Sequence, residues 1–220
     1  MFPIPVRSGT FAIFGGGPSM AGVDLAKVPA HWTKIAVNNS YQIVPDADVL
    51  FFADARWYEA HRPKLVPAWL GRMVSPCSDH RKVPVTEVTK IGREYKLNFG
   101  EFKPPYNPAI PKTCLVAGRD SGTMATNFAA HCGARKIILF GIDMTWHGDQ
   151  SHWHKGHQWA TTKDRYEKTF APILSHLSAE LRQRGITVSR ATEPGLPDIP
   201  FTPLEELALR DIPCDINHGL

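Results

Sequence analysis

With 220 residues, 43% of them hydrophobic, the chain can bury one sizeable core, and one domain spanning 1–220 is the simplest organisation. No apolar run approaches about eighteen residues, which argues against a membrane-spanning helix, and the four cysteines form no CxxC, which argues against a disulfide framework. The net charge of +4 comes from scattered Lys and Arg; it suits a small anionic ligand and does not by itself call for nucleic acid.

The opening segment MFPIPVRSGTFAIF is too short and too proline-interrupted for a signal peptide, so a soluble cytoplasmic protein with free buried thiols is expected. The first predicted strand, Thr10 to Phe14, runs straight into Gly15, Gly16, Gly17, Pro18 and Ser19. Three glycines there allow a tight turn and close backbone approach to a ligand, and Ser19 is placed to cap a following helix. A strand, glycine loop and helix commonly start a nucleotide-binding sheet. The turn matches neither GxGxxG nor a P-loop, and alone it reads equally well as a turn without a ligand.

Predicted strands at Thr33 to Val37 and Val49 to Ala53 end in Asn38-Asn39-Ser40 and in Asp54. With Ser19 and Asp143, polar groups thus recur at strand carboxyl ends, where open parallel sheets bind ligands. Carboxamides at such places can bond a base or sugar hydroxyls through both donor and acceptor, or simply cap turns. From Val74 to Thr113 the pattern weakens. Val83 to Val88 and Glu94 to Leu97 suggest a hairpin or extended edge, Phe102 to Pro108 a proline-rich loop, and Lys112 to Val116 a return into the sheet. Arg119 follows, either a planar partner for phosphate or a solvated charge.

The stretch SGTMATNFAAHCGARKIILFGIDM organises the rest. It reads as a small-residue turn (Ser121, Gly122, Thr123), a helix stopped by Gly133, and a buried strand, Lys136 to Phe140, opened by Gly141 into a loop carrying Asp143. A helix N-terminus near Ser121 would present N–H groups and a positive dipole end to an anion. After Asp143, four histidines (His147, His152, His154, His157) and three tryptophans (Trp146, Trp153, Trp159) fall within fourteen residues. A mobile lid over 145–160, with one histidine as general base, ranks first; a packed structural loop ranks second and a zinc site third, because HExxH and cysteine pairs are absent. Asp164 to Arg184 then has helical spacing, Gly185 caps it, Ile186 to Val188 is a short strand, and Leu204 to Leu209 begins a terminal helix after a loop from Glu193 to Pro203.

GGGPS, VNNSY, the central SGTMATNFAAHCGARKIILFGIDM, SHWHKGH and the final EPGLPDIPFTPLEEL follow an order and spacing similar to the bacterial family 42 sialyltransferases. The core also resembles the motility accessory factor glycosyltransferase-like proteins, and small phage-encoded relatives look alike too. The resemblance leaves 74–113 unmatched. It implies an α/β, Rossmann-like, mainly parallel sheet flanked by helices, and a nucleotide-sugar-dependent glycosyltransferase of sialyltransferase type with a cytidine nucleotide donor, a hydroxyl acceptor and no required cofactor. Carried over by position, Gly15 to Ser19, Asn38, Ser121 and Gly122 would line the nucleotide. His152 matches the catalytic base best, and SHWHKGH also allows His154 or His157. The chain departs from the family at Gly16, where the family has Asn; at Thr145 and the histidine-rich segment, where it has tyrosines that hold the leaving phosphate; and at Arg119, which stands one position from the family's arginine.

The residue reading adds Asn39, Asp54, Thr123 and Asp143 to the ligand-contacting set and Arg119 to the catalytic set. Two alternatives stand beside it. One is a metal-dependent phosphohydrolase or diphosphokinase using Asp54, Asp143 and Asp149; the other is a non-catalytic nucleotide-binding or phage assembly protein. A homo-oligomer is compatible with the sequence.

Overall fold

A computed structural model describes residues 6–79, 81–94, 115–154 and 161–211. Its strands are β1 (Thr10–Phe14), β2 (Thr33–Val37), β3 (Val49–Phe51), β4 (Arg72–Ser75), β5 (Thr89–Lys90), β6 (Gly92–Glu94), β7 (Leu115–Ala117), β8 (Lys136–Phe140) and β9 (Thr187–Arg190). Its α-helices are α1 (Ala55–Leu65), α2 (Ser121–His131), α3 (Lys163–Arg165), α4 (Ala171–Gln183) and α5 (Leu204–Leu209). Seven strands form one sheet in the order β5-β4-β3-β2-β1-β8-β9, and every pair in it is parallel. This is the expected α/β architecture. β6 and β7 pair in a separate two-stranded parallel sheet.

Burial on both faces explains why the strands read as continuous apolar runs rather than as alternating ones. In β1, Phe11 and Ile13 point into a layer shared with Phe128 of α2 and Leu174 and Leu177 of α4. Ala12 and Phe14 point the other way, to Trp57, Tyr58 and Leu65 of α1 and Leu204 of α5. β8 repeats this division, with Ile137 and Leu139 on one face and Ile138 and Phe140 on the other. Phe14 stacks on its register partner Phe140 at 4.8 Å between centroids.

Several expectations are corrected. Val83 to Val88 is not a strand but a series of turns. Pro84 offers no N–H to a ladder, and its carbonyl accepts from Glu87 and Val88 at 3.2 and 3.1 Å. The edge is instead the two-residue β5, which pairs in parallel with β4 and makes no hairpin. Of the return expected over Lys112 to Val116, the described part belongs to β7, which pairs with β6 and not with the central sheet. Ser121, Gly122 and Thr123 belong to the first turn of α2, whose cap is Asp120. Ser19 caps no helix: Pro18–Gly22 is a short 3₁₀ segment, and the Ser19 hydroxyl bonds elsewhere. The long C-terminal helix is interrupted by a π-helical turn, Tyr166–Phe170, between α3 and α4. Pro172 follows it at the start of α4; its missing N–H and its ring favour a wider turn just before it. The last strand runs to Arg190, further than Val188. The proline-rich loop at Phe102 to Pro108 and the segment from Tyr95 to Leu97 lie outside the described residues.

Candidate active site

β1 lies between β2 and β8, and the chain builds outward from it on both sides. The strand order therefore reverses between β1 and β8, and a crevice opens beyond their carboxyl ends. The two loops that leave these ends are tied together. Gly15 N donates to the Phe140 carbonyl and Gly17 N to the Gly141 carbonyl, both at 2.7 Å. Asp143, buried, accepts from Ser19 N at 3.0 Å and from the Ser19 hydroxyl. A Cβ on Gly17 would sit 2.5 Å from the Asp143 carboxyl carbon, so glycine is what lets the two loops touch. Burial pushes the Asp143 carboxyl up, against the pull of the Ser19 bonds and of nearby His147.

The crevice holds a cavity of about 460 Å³. Of the sequence-predicted residues, Gly15, Gly16, Gly17, Asn38, Asp54, Arg119, Ser121, Gly122, Asp143 and His152 line it. Pro18, Ser19, Asn39, Thr123 and His154 do not line it, and His157 lies outside the described residues. Asn38 (φ 50°) and Met144 (φ 53°) are the non-glycine residues with positive φ among those described, and both line the cavity. Asn tolerates that region; Met does not, and its buried side chain has to offset the strain.

The acids around the cavity are engaged within the chain. Asp54 caps α1, accepting from Arg56 N at 2.8 Å, and pairs with the Arg56 guanidinium at 2.6 Å, which holds its carboxyl below the usual range. Asp120 caps α2, accepting from Thr123 N at 2.8 Å and from the Thr123 hydroxyl at 2.6 Å. Burial pushes the Asp120 carboxyl up against those bonds. An anion approaching the N-terminus of α2 thus meets a carboxylate already seated there. Asp149 is exposed in the loop. Among the described residues no three His, Cys, Asp or Glu side chains come together as a metal-ligand set.

The histidine loop folds onto the glycine turn. Trp153 N donates to the Gly16 carbonyl at 2.9 Å, and a Cβ on Gly16 would lie 2.8 Å from Cδ2 of His152. His152 and His154 are 5.3 Å apart between ring centroids, yet they are held differently. His152 Nδ1 faces the Ser151 hydroxyl at 2.8 Å. Trp57, which lines the cavity, reaches Asn39 Oδ1 with its Nε1 at 2.6 Å, and Asn39 Nδ2 reaches His154 Nδ1 at 3.2 Å. An indole N–H only donates, so Oδ1 is the acceptor and the amide nitrogen donates to His154. Neutral His154 then carries its proton on Nε2.

Sequence reasoning missed Trp57, Asp120, Arg165 and Tyr166. Asp120 had a readable signal, an Asp three residues before Thr123 at a helix start. Arg165 and Tyr166 had none, because they belong to a stretch whose spacing reads as an ordinary amphipathic helix.

Compared by sequence, the chain matches no family model and no curated protein. Compared by structure, it resembles the sialyltransferase CST-II in complex with a trisaccharide acceptor and CMP, with a TM-score of 0.57 and 15% identity over 88% of this chain and 86% of that one. It resembles CstII from Campylobacter jejuni in complex with cytidine-5'-monophosphate (TM-score 0.54, 16% identity, 89% and 85% covered). It also resembles the monofunctional alpha-2,3-sialyltransferase Cst-I from the same organism (TM-score 0.54, 14% identity, 93% and 84% covered). At these identities the likeness is one of fold.

Proposed function

We propose that the chain is a nucleotide-sugar-dependent glycosyltransferase of sialyltransferase type, with a cytidine nucleotide donor, a hydroxyl acceptor and His152 as general base. The observation that carries the reading is the difference between two neighbouring histidines, of which His152 lines the switch-point cavity and His154 does not. When Nδ1–H of His152 donates to Ser151, Nε2 carries the lone pair that a base needs. His154 is fixed by Asn39 in the opposite tautomer and does not line the cavity. The fold shared with sialyltransferases whose structures hold CMP supports the choice of donor.

In this reaction the acceptor O–H gives its proton to His152 Nε2, and the acceptor oxygen bonds to the anomeric carbon. The bond from that carbon to the phosphate oxygen breaks, leaving its electron pair on the nucleotide phosphate. Arg119, on the cavity wall, faces the charge that develops. Gly15, Gly16, Gly17, Asn38, Asp54, Ser121 and Gly122 contact the nucleotide; Asp143, also on the wall, is held by Ser19, and Asn39 and Thr123 support lining residues through Trp57 and Asp120. No metal takes part.

The test is CMP release from CMP-sialic acid with a panel of oligosaccharide acceptors, in buffer containing chelator. Wild type is expected to release CMP, His152→Ala to lose roughly 10²–10⁴ in turnover while still binding CMP, and His154→Ala to lose less than about tenfold. Full turnover by His152→Ala would remove that base. CMP binding with no release against any acceptor would make the protein a non-catalytic nucleotide binder.

A further inference from the structure

Three guanidinium groups and three carboxyl groups line the cavity. The acids are all engaged: Asp54 by Arg56, Asp120 by Thr123 and Asp143 by Ser19. Arg56 is matched by Asp54, but Arg119 and Arg165 have no carboxylate partner among the described residues. The two signs are equal in number on the wall; what sets Arg119 and Arg165 apart is that no carboxylate among the described residues occupies their N–H donors. Arg165 closes α3, and Tyr166 opens the π turn directly after it. Phe170, at the end of that turn, orients both. The Arg165 guanidinium carbon lies 5.3 Å from the Phe170 ring centroid, and the Tyr166 ring meets the same ring edge-on at 5.3 Å. All three residues line the cavity. π turns recur at functional sites because the wider turn changes where successive side chains point.

We infer that Arg165 and Tyr166, together with Arg119, form an anion clamp for the phosphate of the bound nucleotide, a role that rests on the nucleotide reading of this cavity. The guanidinium donates to phosphate oxygens in a planar fork, and the phenol O–H adds a further donor. The phenol stays protonated through any working pH: burial, then the Asp120 and Asp143 carboxyls, push it up to about 12. Phe170 needs no ligand to hold the fork in place, so less ordering is left for the binding step.

Calorimetric titration with CMP and with cytidine separates the phosphate from the nucleoside. Wild type is expected to bind CMP at least about tenfold more tightly than cytidine. Arg165→Ala should bring the two within about threefold by weakening CMP alone, and Arg165→Lys should keep part of the difference. Tyr166→Phe, which keeps the ring against Phe170, should weaken CMP by a few-fold and leave cytidine unchanged. Arg165 is exposed, so an unchanged melting temperature will show that the fold survives its loss. If Arg165→Ala keeps the whole wild-type preference for CMP over cytidine, the clamp is wrong although the nucleotide site stands. If wild type binds neither CMP nor cytidine, the cytidine-nucleotide reading of the cavity falls and the clamp falls with it.

Discussion

Gly16 and Gly17 are neighbours in one turn, yet they do different work. A methyl group on Gly16 crowds only the edge of the His152 ring, at 2.8 Å, with His154 at an ordinary 3.8 Å, and a side chain can move aside. A methyl group on Gly17 meets the buried Asp143 carboxyl and, at 2.7 Å, the Gly141 carbonyl, neither of which can yield without opening the junction of β1 and β8. Gly16→Ala should therefore fold with a melting temperature within a few degrees of wild type and, with His152 as the proposed base, lose turnover because its imidazole is displaced. Gly17→Ala should lose stability by about 1–3 kcal/mol, as overpacked sites do, read by urea unfolding. Equal effects of the two on stability would contradict this division. The sequence reading grouped both glycines as turn residues near a ligand. It could not assign them different neighbours, because the carboxylate that Gly17 meets, Asp143, stands far along the chain.

Among the elements, α2 has the strongest claim on the core. Every residue from Gly122 to Ala130 is buried, and Phe128 packs against Phe51 of β3 at 5.6 Å between ring centroids. Phe128→Ala should cost about 3–5 kcal/mol in urea unfolding, with an unchanged m-value if the unfolded state is unaffected. A cost under about 1 kcal/mol would mean that the layer between α2 and the sheet is looser than its burial implies. This helix, β1, β2 and β8 were legible in the sequence, because small and apolar residues in uninterrupted runs encode burial on both faces. α1 and β4 were not, since α1 carries charges along most of its length and β4 begins with Arg72. The π turn was not legible either. Its residues keep helical spacing, and the change of pitch shows only in the backbone.

At the scale of the whole molecule, no helix among the described residues is long and apolar enough to cross a membrane. The net charge of +4 belongs to the whole chain; at the cavity three guanidinium groups stand beside three carboxyl groups, so recognition of an anion there depends on the placement of donors rather than on net charge. Two phenols on different elements couple the fold to alkaline pH. Burial first, then the hydrogen bond to Glu87, push Tyr58 up to about 12 from 10.0, and Tyr166 is pushed up to about 12 as well. A folded-state value above the unfolded one means that the native state holds the proton more tightly. The contribution to stability is then complete below pH 10.0 and is lost as pH rises through about 12. Melting curves should show Tyr58→Phe losing less stability than wild type between those two values; parallel losses would remove Tyr58 as a cause.

Local sequence determined the parts that depend on near neighbours: the apolar runs of the strands, the glycine turn, the polar residues at strand ends, and the crowd of histidines after Asp143. Those features were enough to imply a parallel α/β sheet and a site at its carboxyl edge. Tertiary structure alone decided which strand ends meet. The order β5-β4-β3-β2-β1-β8-β9 brings Ser19 to Asp143 across 124 positions and turns that Asp inward as a tie between loops. It also sets Asn39 between Trp57 and His154, which separates two histidines that look equivalent in SHWHKGH. The physical reason is the same in each case. A side chain's periodicity tells which face it takes, whereas its hydrogen-bond partner depends on how crossovers stack distant segments, and no local pattern carries that information.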